Sequence, residues 1–415
     1  MMNTAFLFPG QGSQYVGMGR KLYDQFATAR HMFEEANDAL GFDLAKLCFE
    51  GSHLELMKTM NTQPAILAVS VIAFEIGRQE LGWDPYLMAG HSLGEYSALV
   101  CSGVFSFREG LRIVRKRGML MQDAVSAGLG AMAAVTNVPR DQLEQWCHLT
   151  VAENAQVVIA CYNSLNQHVI AGHQEAVAAV AEHIQGIIPH AGLKYLNVSA
   201  PFHSPLMHGA ADKLAADLME YETRDGQCPV ISNVTARPYG PQELIPLLYR
   251  QMTHPVRWLD TMEFLFHQGV NRTVEVGPRQ VLTQLMNDTY STIQTHHFDH
   301  PQELEHLHTI FAAGHYSRET IAASIQEALM AAVIARNRSE DMTEYNNGVI
   351  LPIQQIRELV QQIRQDRILN MTSTLHRIRD LLQIVLTAKQ LSPNEQMKIV
   401  RKLPTSKNVV TAING

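Results

Sequence analysis

The sequence predicts an α/β protein with a mostly parallel sheet, a small inserted ferredoxin-like unit and a C-terminal extension made of helices alone. Short apolar runs typical of buried strands alternate with longer helical patterns up to about Pro301. One segment within that region has the strand and helix order βαββαβ. After Pro301 the apolar residues recur at helical spacing only.

Length, composition and charge narrow the class of protein. The 415 residues exceed one comfortable hydrophobic core, so two or three structural units are expected. With 46% hydrophobic and 18% charged residues, the chain is neither disordered nor collagen-like. A net charge of -7 provides no basic surface for a phosphate backbone, so we expect no nucleic-acid partner.

The cysteines and the N-terminus indicate the compartment. No basic region or cleavage site typical of a secretion signal follows Met1, and no apolar stretch approaches the roughly 20 residues that cross a bilayer. The cysteines are scattered and never paired as CxxC, which predicts neither disulfides nor a thiolate zinc site. They are Cys48, Cys101, Cys147, Cys161 and Cys228. We expect a cytoplasmic protein without membrane attachment or bound metal.

Four apolar runs are predicted strands of the main sheet. They are Thr4 to Phe8, Leu87 to Gly90, Val230 to Asn233 and Thr273 to Val276. Helical patterns separate these runs, and parallel strands need such crossovers, so the sheet should be mostly parallel.

The inserted unit is expected at residues 127–199, within a large α/β part formed by residues 1–126 and 200–298. Its predicted elements are strand Ala131 to Val135, helix Arg140 to Cys147, strands Val157 to Tyr162 and His168 to Ala171, helix Gln174 to Ile184 and strand Tyr195 to Val198. This order is ferredoxin-like. Ligands commonly bind in clefts between such units, so we expect the site there.

The extension, residues 299–415, shows three amphipathic helices and a fourth helix start. Ser317 is a predicted N-cap, Glu340 to Gly348 is the expected linker, and Ser392-Pro393-Asn394-Glu395 is a predicted capping box. The apolar stripes are Ile321, Ile325, Leu329 and Ala332, then Ile353, Ile356, Val360 and Ile363, then Leu375, Ile378, Leu382 and Val385.

The strongest signal for chemistry is Gly90-His91-Ser92-Leu93-Gly94, a GxSxG that follows a predicted strand and precedes a helix beginning at Glu95. Glycines allow the sharp turn that exposes a serine hydroxyl, and backbone N–H groups at the helix start can stabilise an oxyanion. A pentapeptide alone can arise by coincidence. The strand-turn-helix context favours a nucleophile at Ser92.

A serine nucleophile needs a general base, and histidine is the usual one. Among 19 histidines the candidate is His203, in Pro201-Phe202-His203-Ser204-Pro205. The flanking prolines predict a rigid loop just after the inserted unit, where a cleft residue would lie. From spacing alone, a histidine on a surface loop remains the alternative.

Seven ordered motifs carry a family resemblance. They are Phe8-Pro9-Gly10-Gln11-Gly12-Ser13-Gln14, Thr62-Gln63-Pro64-Ala65, Gly90-His91-Ser92-Leu93-Gly94-Glu95, Arg117-Gly118, Gly130-Ala131-Met132, Pro201-Phe202-His203-Ser204 and Glu275-Val276-Gly277-Pro278. The chain resembles malonyl-CoA:acyl carrier protein transacylases and polyketide synthase acyltransferases, free-standing trans-acting ones above all. The resemblance covers about residues 3–298 and implies an α/β-hydrolase-like core with a ferredoxin-like subdomain.

The resemblance implies the catalytic roles. Ser92 would be the nucleophile, and His203 the base that takes its proton and later activates the incoming thiol in a ping-pong mechanism. The backbone N–H groups of Gln11 and Leu93 would form the oxyanion hole. A backbone carbonyl near Gln251 would orient the histidine, so we expect no catalytic aspartate.

Arg117 matches the arginine that pairs with the free carboxylate of malonyl in this family. A guanidinium offers a carboxylate two parallel donors, which both selects and positions it. The alternative is a solvated basic helix face, which suits the neighbouring Arg115 and Lys116.

Other residues match the substrate pocket of the family. Bulk at Phe202 and Leu93 resembles the malonyl-selective pattern, which leaves little room for an α-methyl branch. Gln63 and Asn163 resemble polar pocket residues, with buried structural amides as the alternative. For His91 we expect a packed, hydrogen-bonded ring without a catalytic role.

The implied activity is malonyl transfer from malonyl-CoA to the phosphopantetheine thiol of an acyl carrier protein, with no bound cofactor. One rival is an acyl hydrolase with the same serine and histidine, which Arg117 argues against. Another is an interaction module whose helical tail docks partners. The Ile353 to Val360 stripe can pack on its own domain or on another chain, and the basic residues from Lys389 to Lys407 can face solvent or an acidic carrier protein. Fatty acid and polyketide pathways both remain open.

Overall fold

The computed structural model describes residues 3–124, 129–149, 155–198, 200–312, 318–337, 345–365, 371–400 and 402–403. The chain forms two compact units, Met1–Leu307 and His308–Gly415. The expected domain boundary at residue 298 stays a prediction.

The first unit contains all of the described strands and most of the helices. The strands are β1 (Thr4–Phe8), β2 (Leu87–Gly90), β3 (Gly130–Thr136), β4 (Val157–Ser164), β5 (Gln167–His173), β6 (Gly192–Tyr195), β7 (Val230–Ile231), β8 (Arg272–Val276) and β9 (Gln294–Phe298). The helices are α1 (Arg20–Gln25), α2 (Ala27–Leu40), α3 (Leu44–Glu50), α4 (His53–Met57), α5 (Thr59–Leu81), α6 (Leu93–Ser102), α7 (Phe107–Asp123), α8 (Arg140–Leu149), α9 (Gln174–Ile187), α10 (His208–Leu218), α11 (Leu244–Thr253), α12 (Trp258–His267) and α13 (Val281–Thr289), with a 3₁₀ turn at Pro205–Met207. The chain passes from the first unit to the second within α14 (Glu303–Ala312).

The main sheet has five strands in the order β7-β2-β1-β8-β9, and every pairing is parallel. The prediction of a mostly parallel sheet is confirmed. Phe8 at the end of β1 is in register with Gly90 at the end of β2. Carboxyl ends of parallel strands meet at one edge, so the loops that follow these two residues leave the sheet together.

Two strands differ from expectation. The run predicted as Val230 to Asn233 is a strand only over Val230–Ile231, because Ser232 donates its backbone N–H to Arg237 in a tight turn (2.9 Å). β9 was not predicted, because its sequence Gln-Thr-His-His-Phe lacks an apolar run. It is an edge strand in which only Phe298 is fully buried, and an edge needs little apolar character.

The second sheet, in the order β4-β5-β3-β6, is antiparallel throughout. With α8 and α9 it gives the ferredoxin-like topology, which confirms that prediction. Its last strand was placed wrongly: it spans Gly192–Tyr195, not Tyr195 to Val198. The ladder with β3 ends at Tyr195, and Leu196 adds a single backbone hydrogen bond to Met132 (2.9 Å). Leu196 and Val198 line a cavity instead.

One helix of the described chain, α5, is long and apolar enough to cross a bilayer. Its 18-residue apolar window is 83% buried within the protein, as in a core helix. Its neighbours include α7, which carries Arg117, so this apolar helix supports one wall of the site.

The second unit is a helical bundle of α15 (Arg318–Ile334), α16 (Leu351–Arg364), α17 (Met371–Ala388) and α18 (Pro393–Val400). The predicted stripes on the first three helices form its core, with Ile353 only partly buried. The Ile353 to Val360 stripe therefore packs within its own unit. The capping box is confirmed: Glu395 accepts from the backbone of Ser392 (2.8 Å), and Ser392 Oγ accepts from Glu395 N (3.4 Å). Ser317 lies outside the described residues.

The expected linker, Glu340 to Gly348, is described only from residue 345 onward. There the prediction was wrong, because Asn346–Ile350 forms a turn of π-helix that leads directly into α16. Val349 within it is buried in the bundle core, which explains why this polar-looking stretch is helical.

Lys389, expected on a solvated or docking surface, is buried at the end of α17. Its Nζ donates to the carbonyl oxygens of Ala332, Val333 and Ala335, each at 2.8 Å. These carbonyls end α15 and have no intrahelical donor, so a lysine satisfies them. Lys402 is also engaged, in an ion pair with Glu327. Lys389 is therefore not available as a docking charge, whereas Lys402 stays partly exposed to solvent.

Candidate active site

The GxSxG sequence forms the turn between β2 and α6. A Cβ added to Gly90 would lie 1.9 Å from the carbonyl carbon of Gly94, and one added to Gly94 would lie 1.9 Å from the carbonyl oxygen of Phe8. Neither glycine has a positive φ; the left-handed residue is Ser92, with φ 52° and ψ −102°. The glycines thus serve close approach of the helix to β1 and β2, and the serine itself adopts the unfavourable backbone.

Asn233 holds this turn in place. Its Oδ1 accepts the backbone N–H of Ser92 at 2.7 Å, and its Nδ2 donates to the carbonyl of Gly90 at 2.7 Å. Asn233 follows the short strand β7 and is fully buried. One amide therefore satisfies a donor and an acceptor on either side of the strained residue.

His203 meets Ser92 across the site, with Nε2 2.7 Å from the serine Oγ. Its other nitrogen, Nδ1, lies 2.6 Å from the backbone oxygen of Gln251. Because a carbonyl can only accept, Nδ1 carries the hydrogen and Nε2 is free to accept the serine proton. His203 is also left-handed, with φ 59°. Burial, with the charge of Arg117, lowers the pKa of His203 to about 3, so the ring is neutral at physiological pH.

Arg117 on α7 is 1% exposed and reaches the same hydroxyl. Its Nη2 donates to Ser92 Oγ (3.1 Å) and to Gln251 Oε1 (2.9 Å), and its Nη1 donates to Gln63 Oε1 (2.8 Å). Its Nε has no hydrogen-bond partner within the described part of the chain. The guanidinium also lies 5.2 Å from the ring centre of Tyr96. Arg117 is therefore not part of a solvated helix face, which was the alternative interpretation.

None of the ion pairs found among the described residues includes Arg117. A buried guanidinium held only by neutral oxygens is costly. The arrangement favours an anionic ligand beside Ser92.

A second hydrogen-bond network, which was not predicted from the sequence, lies behind Ser92, His203 and Arg117. The side chain of Gln251 donates from Nε2 to the carbonyl of Ser92 (2.9 Å) and to Glu95 Oε2 (2.6 Å). Glu95 Oε1 accepts the backbone N–H of Asn233 (3.1 Å) and the hydroxyl of Tyr239. The sequence signal for this network was Glu95, which directly follows the GxSxG and is equally typical of an acidic residue in the first turn of a helix.

A cavity of about 290 Å³ opens in front of Ser92 and His203, between the two sheets. Its walls come from the large α/β part on one side and the ferredoxin-like unit on the other, as the sequence predicted for the site. The residues named from sequence that line it are Gln11, His91, Ser92, Asn163, Phe202 and His203.

His91 and Gln63 have supporting positions around the site. Nε2 of His91 lies 2.9 Å from Oδ1 of Asn163. Because an amide oxygen can only accept, His91 is the donor. Its ring packs 5.7 Å from that of Trp258. Gln63 does not line the cavity but contacts Arg117 from behind, and its Nε2 faces the sulfur of Met121 (3.4 Å).

Gln11 and Leu93 are the two residues expected to supply backbone donors. Gln11 lies on the loop after β1 and lines the cavity; Leu93 is the first residue of α6, directly after Ser92. Hydrogen bonds made by their backbone N–H groups are absent from the described contacts. Their role as oxyanion donors stays a prediction.

No group of three or more metal-ligating side chains occurs in the described ranges. The groups that meet at the site are a serine hydroxyl, a neutral histidine and a buried guanidinium.

Comparison with known proteins places these features in one family. Residues 5–333 match the family model described as the acyl transferase domain. A malonyl CoA-acyl carrier protein transacylase of Bacillus subtilis is 41% identical over 402 residues, which cover 97% of this chain and all (100%) of that protein. The enzyme of the same name from Escherichia coli K12 is 41% identical over 308 residues, covering 73% of this chain and 98% of that one.

A solved structure gives the same result. It is a complex of a type II polyketide synthase acyl-carrier protein with its malonyl-transacylase, matched with 40% identity and a TM-score of 0.72 over 74% of this chain and 99% of that one. The Bacillus subtilis match runs through most of the helical bundle, which shows that the extension also occurs in a relative.

Proposed function

Because this chain belongs to the acyltransferase family, we propose that it transfers a malonyl group from malonyl-CoA to the phosphopantetheine thiol of an acyl carrier protein. The activity is that of an acyl-carrier-protein S-malonyltransferase. The single observation that carries the choice of acyl group is the buried guanidinium of Arg117, 3.1 Å from Ser92 Oγ and without a carboxylate partner in the described chain.

The first half-reaction acylates the serine. Ser92 Oγ attacks the thioester carbonyl carbon while its proton passes to Nε2 of His203. The C–S bond then breaks, and the imidazolium gives the proton to the sulfur of coenzyme A. The carbonyl of Gln251 holds Nδ1 of His203 and stabilises the imidazolium, the role an aspartate has in other serine enzymes.

The second half-reaction is the reverse with a different thiol. The phosphopantetheine thiol gives its proton to His203, and its sulfur attacks the ester on Ser92. The C–O bond breaks and the proton returns to Oγ. In both halves the backbone N–H groups of Gln11 and Leu93 would stabilise the oxyanion. The low pKa of His203 keeps Nε2 unprotonated in the free enzyme, ready to accept each proton.

Arg117 would bind the free carboxylate of malonyl with two of its N–H groups. Binding would replace neutral oxygens by an anion and compensate the buried charge. A thioester without that carboxylate, such as acetyl-CoA, leaves the guanidinium uncompensated and should react more slowly. Phe202 at the cavity wall would disfavour an α-methyl branch by about 1–3 kcal/mol, a limited selectivity.

We further propose that residues 1–298 form the catalytic domain, that residues 299–415 form an extension to it, and that the enzyme works in the cytoplasm without a bound cofactor. A trans-acting role for polyketide synthases is supported by the match to a polyketide synthase transacylase. A role in fatty acid synthesis uses the same chemistry.

Intact-protein mass spectrometry tests the proposal. Wild-type protein is mixed with malonyl-CoA and then with a holo carrier protein, beside Ser92→Ala. A malonyl adduct that forms on wild type, moves to the carrier and is absent from the variant is the expected result. An adduct that is lost to water and never reaches the carrier would support the acyl hydrolase instead.

A further inference from the structure

The carboxyl group of Glu95 is buried directly beneath the catalytic residues, yet it contacts neither substrate cavity nor reacting atom. Its side chain is 0% exposed. It accepts from Gln251 Nε2 (2.6 Å), Asn233 N (3.1 Å) and the hydroxyl of Tyr239. None of these donors is charged, although a buried carboxylate is normally paired with a cation.

The three donors fix how the carboxyl group is used. Both of its oxygens act as acceptors, Oε2 for Gln251 and Oε1 for Asn233 and Tyr239. Gln251 Nε2 and Asn233 N can only donate, so a neutral acid would have to direct its O–H at Tyr239, whose hydroxyl would then accept instead of donating. With all three partners donating, the network suits the ionised form, and it fixes the carboxylate without neutralising it.

The amide of Gln251 has one orientation compatible with its neighbours. Oε1 must face Arg117, because a guanidinium only donates. Nε2 must face the carbonyl of Ser92 and the carboxylate of Glu95, because both only accept. With Glu95 removed, Nε2 keeps one of its two acceptors, and the amide can rotate away from Arg117.

Gln251 also carries the carbonyl that binds His203 Nδ1 at 2.6 Å. One residue therefore contacts the base through its backbone and the guanidinium through its side chain. Asn233, the other partner of Glu95, holds the backbone of Ser92. The carboxylate therefore contacts both Gln251 and Asn233, the two residues that also hold the backbone of Ser92.

We propose that Glu95 is a positioning residue that acts through the Gln251 amide to align the Arg117 guanidinium with the carboxylate of the acyl group. This inference rests on the proposed malonyl transfer. It predicts a specific defect: loss of Glu95 impairs recognition of a carboxylated acyl group more than it impairs acylation of Ser92 as such.

The alternative is that Glu95 only satisfies buried donors. It is in the first turn of α6, where a carboxylate is favourable for any helix. Under that alternative its loss would disturb Ser92 and slow the reaction with every acyl-CoA by the same factor.

The experiment compares two acyl groups. Rate constants for acylation of Ser92 by malonyl-CoA and by acetyl-CoA are measured by quenched mass spectrometry for wild type and Glu95→Gln. The expected result is a fall of at least about tenfold in the malonyl-to-acetyl rate ratio, the size of one charged hydrogen bond. An unchanged ratio, with both rates lowered alike, would overturn the proposal.

Glu275→Gln is the matched control. Glu275 is another fully buried glutamate, and its carboxylate accepts the backbone N–H groups of Leu282 (3.0 Å) and Thr283 (2.7 Å), away from Arg117. Its loss should leave the malonyl-to-acetyl ratio unchanged even where the protein is destabilised. A fall in the ratio equal to that of Glu95→Gln would show that any buried glutamate has this effect and would contradict the proposal.

Two further variants keep the proposal testable if acetyl-CoA reacts too slowly to measure or if Glu95→Gln does not fold. In an Arg117→Ala background, Glu95→Gln should add no further loss with malonyl-CoA, because the group it aligns is gone. If Glu95→Gln does not fold, Tyr239→Phe removes one donor to the same carboxylate and should lower the ratio by a smaller factor. A wild type that shows no malonyl adduct would refute the proposed function itself, whereas normal malonylation with an unchanged ratio in these variants would refute only the role of Glu95.

Discussion

Nη2 of Arg117 lies 3.1 Å from Oγ of Ser92, so the positive group and the nucleophile are direct neighbours. In a malonyl ester the carbon of the free carboxylate is the third carbon of the acyl group, counted from the ester oxygen. A guanidinium this close suits a short dicarboxylic acyl group that folds back on the serine. Because Nη2 also contacts Gln251, an incoming carboxylate competes with neutral oxygens only.

Arg117→Ala should slow acylation by malonyl-CoA about 10- to 100-fold, the range expected when a charged hydrogen-bond partner is lost. Acylation by acetyl-CoA should change far less. Arg117→Lys should recover little, because a lysine cannot donate two parallel bonds. Single-turnover mass spectrometry measures all three rates.

The matched control for this prediction is Arg115→Ala on the same helix. Arg115 donates to the carbonyl of Met60 (2.6 Å) and to Asn61 (2.5 Å), outside the site. It should leave the malonyl-to-acetyl ratio as in wild type. Equal effects of the two substitutions would contradict a specific role for Arg117.

Gly94→Ala should prevent stable folding or cost more than about 3 kcal/mol, because the added Cβ would meet the carbonyl oxygen of Phe8 in the rigid main sheet at 1.9 Å. Thermal and urea unfolding measure the loss. Gly186→Ala is the control, since a Cβ there, near the end of α9, meets nothing within 4 Å. It should raise stability by about 0.5–1 kcal/mol. A well-folded Gly94→Ala protein of wild-type stability would show that the turn relaxes.

The pH dependence of malonylation should be set by Glu95 rather than by His203. Burial raises the pKa of Glu95 to about 7, although its hydrogen bonds and Arg117 favour the charged form, whereas His203 stays neutral down to about pH 3. The aligned network needs the carboxylate, so the malonylation rate should fall as pH drops below about 7. The other titratable groups that face Glu95 are the phenols of Tyr239 and Tyr96, which burial keeps protonated.

Glu95→Gln carries no ionisable group at this position, so its malonylation rate should be low and should vary little between pH 5 and 8. Rate–pH profiles of the two proteins, recorded with malonyl-CoA over that range, make the comparison. The same acid limb in both profiles would assign the titration to another group.

Lys389→Met should destabilise the helical bundle by about 1–3 kcal/mol, because three carbonyl oxygens at the end of α15 would lose their donor. Hydrogen exchange of the amides in the last turns of α15 reports the change locally. Lys398→Met, on the exposed side of α18, should leave that exchange unaltered. Equal exchange in both variants would mean that water replaces the lysine.

The sequence predicted those elements and residues whose local pattern is distinctive, and it did not predict the others. Strands such as Thr4–Phe8 and Leu87–Gly90 were predicted at their true bounds, because a fully buried parallel strand is apolar throughout. The edge strand Gln294–Phe298 has polar residues and gave no signal. Ser92 and Arg117 stood in local motifs that the family resemblance could match.

The supporting network could not be predicted in the same way. Glu95, Asn233 and Gln251 are far apart in the chain, and their roles come from the side to which each amide nitrogen or oxygen points. Gln251 was expected for its backbone carbonyl alone. Its side-chain role emerges only when the donor-only and acceptor-only groups around it are known.

Ser92 and His203 are both held in left-handed backbone conformations, with φ of 52° and 59°. Such conformations cost about 1–3 kcal/mol each in non-glycine residues, and glycine or asparagine at these positions would relieve part of that cost. Selection for stability alone would therefore favour loss of the two residues that carry the reaction. In the terms of a stability–activity trade-off, the two residues that carry the reaction are the ones at which a gain in stability would cost function.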